Sequence, residues 1–249
     1  MEFTSQASDT EGLPELVRNP LRDEILAIQQ LFGYSDNASQ TLAHEVCNFG
    51  ATLSDSSMRD VLLLHIGISI LDTRILHRMM HVEPTDEIHA LESYQFVVGD
   101  SRYCKTTSKR FLFGESQFMP LDEVKAQVES PVCRRGRDNI LVFHGDHSDR
   151  KALSNLNIER QPLYVIDNVE AAQSPLNLTY RLGLDALLDT FGIPYANLHA
   201  VGNDAHYALR SLLMIAVTDG LNLQAEPTNE VLFSTFSAIA RRARPTTAG

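Results

Sequence analysis

The chain has 249 residues, 43% of them hydrophobic, and a formal net charge of −11. These values fit one domain of about 200 residues with tails. The negative charge argues against a large surface for duplex nucleic acid, since phosphate binding draws on clustered Lys and Arg. No apolar run approaches the roughly 20 residues that span a bilayer, and no secretion signal is visible, so we expect an intracellular protein, cytoplasmic or nuclear, with no membrane partner.

The N-terminal region divides into two parts. Residues 1–19 mix Ser, Thr, Asp, Glu, Gly and Pro without periodicity, which predicts a disordered arm. In residues 20–40, the apolar positions from Leu21 to Phe32 recur at helical spacing, which predicts an amphipathic helix followed by a linker. The apolar face of this helix is predicted to dock on the following domain, which is assigned to residues 41–244, rather than on a partner.

The pattern of the later segments predicts an α/β domain. Residues 43–53 and 61–71 are rich in β-formers and flank a Ser-Asp turn, so they predict an antiparallel hairpin, and residues 94–98 predict a third strand. Two buried strands follow at residues 139–143 and 162–167. Helices are predicted at residues 120–128, in the segment 144–153 that follows the first of these two strands, at 178–191 up to the stop signal Gly192, from Asp204 onward and at 229–244.

Two groups of basic residues are candidates for nucleic-acid contact. Lys105, Lys109 and Arg110 are interleaved with aromatic residues between positions 102 and 118, a mixture that can bind a single strand through phosphate contacts and base stacking. The alternative is that these aromatic residues belong to the core. The second group is Arg134, Arg135 and Arg137 in a glycine-containing loop, for which the alternative is a solvated loop.

A pair of residues before the helix at Asp204 carries the strongest chemical signal. His199 and Asp204 are separated by four residues; a His on a loop can act as a general base on water, and a carboxylate at a helix start can hold a divalent metal ion. The alternative for Asp204 is an N-cap. His144 and Asp149 repeat the spacing, and the position of His199 before the later helix favours it as the base.

These motifs resemble the second and third motifs of the DEDDh exonucleases, the His-type 3′–5′ exonucleases of the ribonuclease-H-like superfamily. The fungal proteins of this superfamily are similar in three places: the segment Asn203-Asp204-Ala205-x-Tyr207-x-Leu209-x-x-Leu212-Leu213, the stretch Ile66-Gly67-Ile68, and the stretch Phe111-x-Phe113-Gly114. The resemblance implies a mixed five-stranded sheet with helices on both faces. It also implies His199 as the base, and Asp149 and Asp204 as ligands of Mg²⁺ or Mn²⁺.

The first motif of the family should place Asp-x-Glu on the first strand, but Asn48 and Gly50 stand at the matching positions. Asn offers one neutral oxygen and Gly no side-chain ligand, whereas a two-metal centre needs several carboxylates. The leading hypothesis is therefore a degenerate domain that binds single-stranded nucleic acid or a protein partner with little or no catalysis and no tightly bound metal. An active exonuclease with an unusual first motif and a purely structural interaction module are the alternatives.

This hypothesis makes two geometric predictions. The strand at residues 43–53 should lie in the middle of the sheet. Asn48, Asp149 and Asp204 should converge in one pocket over the carboxyl end of the sheet, with His199 on its rim.

Overall fold

The structure is a computed structural model that describes residues 20–34, 44–54, 63–79, 90–98, 102–132, 138–145, 147–158, 162–223 and 229–243. Six strands lie in these ranges: β1 (His44–Ser54), β2 (Leu63–Asp72), β3 (Leu91–Val98), β4 (Ser116–Phe118), β5 (Asp138–Phe143) and β6 (Tyr164–Asp167). The helices there are α1 (Pro20–Phe32), α2 (Thr73–Met79), α3 (Arg102–Ser108), α4 (Leu121–Val132), α5 (His147–Asn155), α6 (Asn168–Ala171), α7 (Leu184–Phe191), α8 (Val201–Asn222) and α9 (Glu230–Ala240).

The strands form one mixed sheet in the order β4-β3-β2-β1-β5-β6. The first three strands pair antiparallel, β5 is parallel to β1, and β6 is parallel to β5. The predicted pairing is therefore confirmed, and β1 lies in the interior of the sheet as expected. The strand number differs: the sheet has six strands rather than five, because the three-residue β4 pairs in parallel with the outer edge of β3.

Helices cover both faces of the sheet, because alternate strand residues enter two separate cores. On β5, Ile140 and Val142 belong to the core that includes α1, α7, α8 and α9, whereas Phe143 belongs to the core that includes α4 and α5. The predicted two-sided arrangement is confirmed. No helix in the described ranges is long and apolar enough to cross a membrane.

Helix α8 is the centre of the larger core. Its residues are buried nearly all round, and it packs against four strands and four helices. It begins at Val201 with Ala200 as the N-cap residue, so the interpretation of Asp204 as an N-cap is wrong. Asp204 lies instead one turn into the helix.

Several element boundaries also differ from the predictions. Helix α7 begins at Leu184 rather than at residue 178, with Gly183 as its N-cap residue, and it ends as predicted at Gly192, which has φ 63°. Helix α4 continues to Val132, and α9 ends at Ala240. The elements that were not predicted, α2, α3, α6 and β4, have seven residues or fewer, too few for periodicity to be visible.

Helix α1 docks on the domain, as its apolar stripe predicts. Ile28 and Leu31 are almost fully buried in the larger core, and the ring of Phe32 meets the ring of Phe236 edge-on at 4.7 Å between centroids. The predicted arm, residues 1–19, and the predicted domain boundary at residue 41 lie outside the described residues and stay predictions.

A buried carboxylate also ties α1 to α8. Asp219 is 6% exposed, and its Oδ2 accepts hydrogen bonds of 2.9 Å from the Gln29 side-chain amide and from the Tyr34 hydroxyl. Burial, and then the adjacent charge of Asp219, raise the pKa of Tyr34, so the phenol stays protonated and keeps donating.

Substitution of Tyr34→Phe is therefore expected to lower the free energy of unfolding by about 2 kcal/mol, because a buried carboxylate loses one of its donors. Tyr164→Phe is the matched control, since the Tyr164 hydroxyl donates to Gln30 on the surface. Urea unfolding of both variants checks this. An equal loss in the two variants would contradict the role of Asp219 as a buried tie between the helices.

Candidate functional site

Residues 197–200, which precede α8, form a tight turn that we call the His199 turn. Asn197 has φ 52° and His199 has φ 68°, left-handed values that are uncommon for residues other than Gly. Asp204 stabilises this conformation, because its Oδ1 accepts a 3.0 Å hydrogen bond from the His199 backbone N–H. Strained backbone of this kind needs support from its surroundings and clusters at functional sites. The two residues of the predicted His-Asp pair are thus in direct contact.

Asn203 holds a second segment against the His199 turn. This fully buried side chain accepts a hydrogen bond from the Leu112 N–H and donates to the carbonyl oxygens of Arg110 and Asn197, each at 2.9 Å. The Arg110 guanidinium donates at 3.1 Å to the Leu198 carbonyl. An exposed cation is therefore fixed beside His199.

The first turn of α8 lies directly on the sheet. A Cβ atom at Gly67 of β2 would be only 2.0 Å from the Val201 carbonyl oxygen, so the helix can approach this closely only because Gly67 has no side chain. The Gly202 N–H also donates at 3.1 Å to Oε1 of Gln95 on β3. These contacts fix the start of α8, and with it Asp204, over the middle of the sheet.

The strand register places Asn48 and Gly50, the predicted first-motif positions, in the same part of the sheet. Gly50 of β1 is paired with Gly67, and Asn48 lies two residues earlier, opposite Ser69. Directly paired residues of an antiparallel ladder share a face, as do residues two apart on a strand. Positions 48 and 50 therefore belong to the row of the sheet that the start of α8 covers.

The Asp204 carboxyl is in an environment that disfavours its charge. Burial raises its pKa from 3.8 to about 6, against the opposing effects of the His199 N–H and of the positive charges of His199 and Arg110. The folded protein thus binds a proton at Asp204 at pH values where the unfolded chain has released it. The contribution to stability is favourable below about pH 4 and is lost as the pH rises through about 6.

Asp204→Asn is accordingly expected to raise the free energy of unfolding at pH 7 by about 2 to 3 kcal/mol, because the amide oxygen can still accept from His199 while no charge is buried. The gain over the wild type should shrink as the pH falls and vanish near pH 4. Denaturant unfolding of both proteins from pH 4 to pH 8 measures it. A gain independent of pH would show that burial of the Asp204 charge is not its cause.

The other predicted site residues lie on several different elements. Asp149 is partly buried in the first turn of α5, which packs against β1. His144, the alternative base, lies at the end of β5, where burial lowers the pKa of its ring while Asp167 and Asp185 act against this. Arg134, Arg135 and Arg137 lie outside the described residues, as does the side chain of Asn48. The convergence of Asn48, Asp149 and Asp204 in one pocket stays a prediction.

The aromatic residues of the 102–118 segment have different environments. Phe111 is 7% exposed against the start of α8, and Phe113 stacks on His206 with 3.5 Å between ring centroids. The core interpretation therefore holds for these two rings. Phe118 is 52% exposed, and the side chains of Lys105, Lys109 and Arg110 are exposed too.

Sequence reasoning missed two residues that build this site, Gln95 and Asn203. Both are fully buried, and both hold the start of α8 or the His199 turn in place. Asn203 had a usable signal, because it is a polar residue inside an otherwise apolar helix and beside a predicted ligand. Gln95 had none, since its partner lies about a hundred positions away in the chain.

Comparison with known families agrees with this geometry. Residues 56–215, well over half of the chain, match the family model of the DNA polymerase III subunit epsilon-like, C-terminal domain, of the DEDDh type. The chain therefore belongs to this DEDDh exonuclease-like family, which implies a ribonuclease-H-like fold. The match begins after β1, so the strand with Asn48 and Gly50 lies outside it. No match was found among curated proteins.

DEDDh exonucleases generally use Mg²⁺ or Mn²⁺, so the question for this site is whether its side chains could coordinate such an ion. In the part of the chain that the structure describes, no group of three His, Cys, Asp or Glu side chains is placed to hold a metal ion. One oxygen of Asp204 is already engaged by the His199 backbone, and Mg²⁺ requires nearly octahedral oxygen coordination. The described residues do not fit a two-ion centre.

Proposed function

We propose that this protein is a degenerate DEDDh domain that binds single-stranded nucleic acid with little or no catalysis. One observation carries the proposal: the strand register puts Asn48 and Gly50, not Asp and Glu, in the row of the sheet under the start of α8. Exonuclease chemistry with two metal ions needs anionic ligands there to clamp the attacking water and the leaving oxygen. The side chain of Asn48 is a neutral amide and that of Gly50 is a hydrogen atom, so neither residue supplies a negative charge to a metal ion.

The loss of those carboxylates also changes what the site attracts. Without the two acidic residues, the neighbourhood of Asp204 repels a phosphate less strongly. Arg110 lies beside Asp204, and its guanidinium is fixed by a hydrogen bond to the Leu198 carbonyl. Arg is suited to phosphate because its planar fork offers several donors. We infer that nucleic-acid binding at this site does not require a metal ion.

The surface next to the His199 turn supports nucleic acid over a protein partner. From Arg102 to Phe118 the sequence has four basic residues and one acidic residue, in a chain whose net charge is −11. Lys105, Lys109 and Arg110 expose their side chains there. A local excess of positive charge on an acidic protein indicates an anionic ligand.

The test is binding of a fluorescein-labelled single strand of about ten nucleotides, as RNA and as DNA, with EDTA present throughout. The affinity should fall with salt, and Arg110→Gln or Lys109→Gln should each reduce the log–log salt slope by about 0.7. Lys151→Gln, an exposed lysine on α5, is the matched control and should leave the slope unchanged. Absence of wild-type binding to both strands under these conditions would contradict the proposal.

An active exonuclease is the second candidate function, because one observation favours it. His199 and Asp204 are in contact, and Asp149 is retained at the start of α5, so three positions of the family motifs keep their residue types. In that case a carboxylate from elsewhere in the chain would complete the centre. Degradation of a labelled strand in Mg²⁺ or Mn²⁺ distinguishes the two candidates.

A further inference from the structure

Phe118 is an exposed aromatic residue in the basic segment between residues 102 and 118. It ends the short edge strand β4, pairs with Val97 of β3, and leaves 52% of its surface in contact with solvent. Large aromatic residues normally bury most of their area, as Phe111 and Phe113 do in this segment. Phe118 thus offers an open ring in the same segment of the chain as exposed lysines.

Hydrogen bonds connect the strand of Phe118 to the candidate site. The Ser116 hydroxyl donates at 2.8 Å to the Ser108 carbonyl at the end of α3, and the Gln95 side-chain amide donates at 2.8 Å to Ser116. Gln95 also accepts from the Gly202 N–H of α8. The edge strand, the end of α3 and the start of α8 are therefore fixed to one another.

Exposed cations belong to the segment that this hydrogen-bond connection includes. Lys105 is one turn before Ser108 in α3, and Lys109 and Arg110 follow directly after it. Arg110 reaches the His199 turn through its bond to Leu198. We call the surface formed by Phe118, Lys105, Lys109 and Arg110 the Phe118 strip.

We propose that the Phe118 strip is the track for a single strand, on which Phe118 stacks a base and the three cations contact phosphates. The inference rests on the proposed function and specifies how it works: an aromatic platform combined with a line of positive charge is how proteins hold single strands without reading their sequence. The strand would run from Phe118, at the sheet edge, to Arg110 beside His199. The interior of a duplex does not suit this strip, because the faces of its stacked bases are already covered by neighbouring base pairs.

The first experiment uses the same labelled strand of about ten nucleotides. Phe118→Leu keeps an apolar side chain but removes the π face, and it should weaken binding about tenfold or more, whereas Phe118→Tyr should bind like the wild type. An abasic strand of the same length keeps every phosphate; on it, Phe118→Leu and the wild type should bind alike. Leu163→Ala, an exposed apolar residue at the opposite edge of the sheet, is the control for general surface effects.

A second variant reports on stacking directly. The chain contains no Trp, so Phe118→Trp introduces a single indole, and base stacking on it should quench its fluorescence as the strand is added. Quenching by the normal strand but not by the abasic strand supports the track. Wild-type binding combined with unaltered affinity of Phe118→Leu and no quenching would overturn the Phe118 strip while leaving the proposed function intact. Binding by neither protein would refute the proposed function itself.

Discussion

A labelled single-stranded oligonucleotide in Mg²⁺ or Mn²⁺ should be trimmed by this protein at least on the order of a thousandfold more slowly than by a site with all five DEDDh residues. The reason lies in the number of carboxylates that we predict for the site. If Asn48 and Gly50 take the first-motif positions, Asp149 and Asp204 are the two family-motif carboxylates that remain to hold a metal ion. They could hold at most one weakly bound ion, since Mg²⁺ keeps its waters unless several anionic ligands compete.

One ion cannot clamp both the attacking and the leaving oxygen. The stabilisation of transition-state charge by two such ions often amounts to several kcal/mol, and it would be lost. His199 would then be a base without an activated water to deprotonate. Gel analysis of the 3′–5′ products, with Asp204→Ala as the control, measures the rate. Robust trimming that disappears in Asp204→Ala would show the degenerate-domain hypothesis to be wrong and would establish the active exonuclease.

The double substitution Asn48→Asp with Gly50→Glu provides the converse experiment. It places two carboxylates at the predicted first-motif positions, in the row of the sheet under the start of α8, so it should increase the trimming rate. Thermal unfolding with and without Mg²⁺ gives a second readout, because a ligand that binds the folded state raises its stability. An unchanged rate and no shift with Mg²⁺ would contradict the assignment of positions 48 and 50.

Gly67→Ala is expected to lower the free energy of unfolding by about 3 kcal/mol or more. The added methyl would lie 2.0 Å from the Val201 carbonyl oxygen, 2.2 Å from its carbonyl carbon and 2.6 Å from the Gly202 nitrogen. All three are backbone atoms, so no side-chain rotation relieves the clash. The whole start of α8 has to move off the sheet, and the hydrogen bond from Gly202 to Gln95 is lost with it.

The matched control for this substitution is Gly183→Ala. There the added Cβ meets only the Asp185 carboxylate oxygen, at 2.8 Å, which belongs to a flexible side chain and can turn away. Urea unfolding should show a change within about 0.5 kcal/mol for that variant. If Gly67→Ala also remained within that range, the close approach of α8 to β2 would be refuted.

The elements that could be predicted from the sequence are those that carry a long local pattern. The buried run of β5 and the apolar stripe of α1 fix both the type and the side of each element. The antiparallel pairing of β1 with β2 follows from two β-rich runs around a turn. Elements such as α3 and β4 are too short to carry a pattern, and they form because of contacts with β3 and Ser116.

The errors at the candidate site have one physical origin, contacts between residues distant in sequence. Asp204 precedes an apolar run, which suits a cap, but Gln95 and Leu112 hold the preceding residues in the helix by hydrogen bonds to Gly202 and Asn203. Contacts with distant residues also decide which aromatic residues of the 102–118 segment are buried. Nothing local distinguishes Phe113, which stacks on His206, from Phe118, which remains exposed.

The bond between α1 and Asp219 determines how a recombinant fragment should be designed. The family match begins at residue 56, which invites truncation of everything before it. Such a fragment would lack β1. It would also lack Gln29 and Tyr34, the two side chains that donate hydrogen bonds to the buried carboxylate of Asp219. It would also uncover the apolar surface against which Ile28 and Phe32 pack, the kind of patch that drives aggregation. Expression should therefore start no later than Pro20.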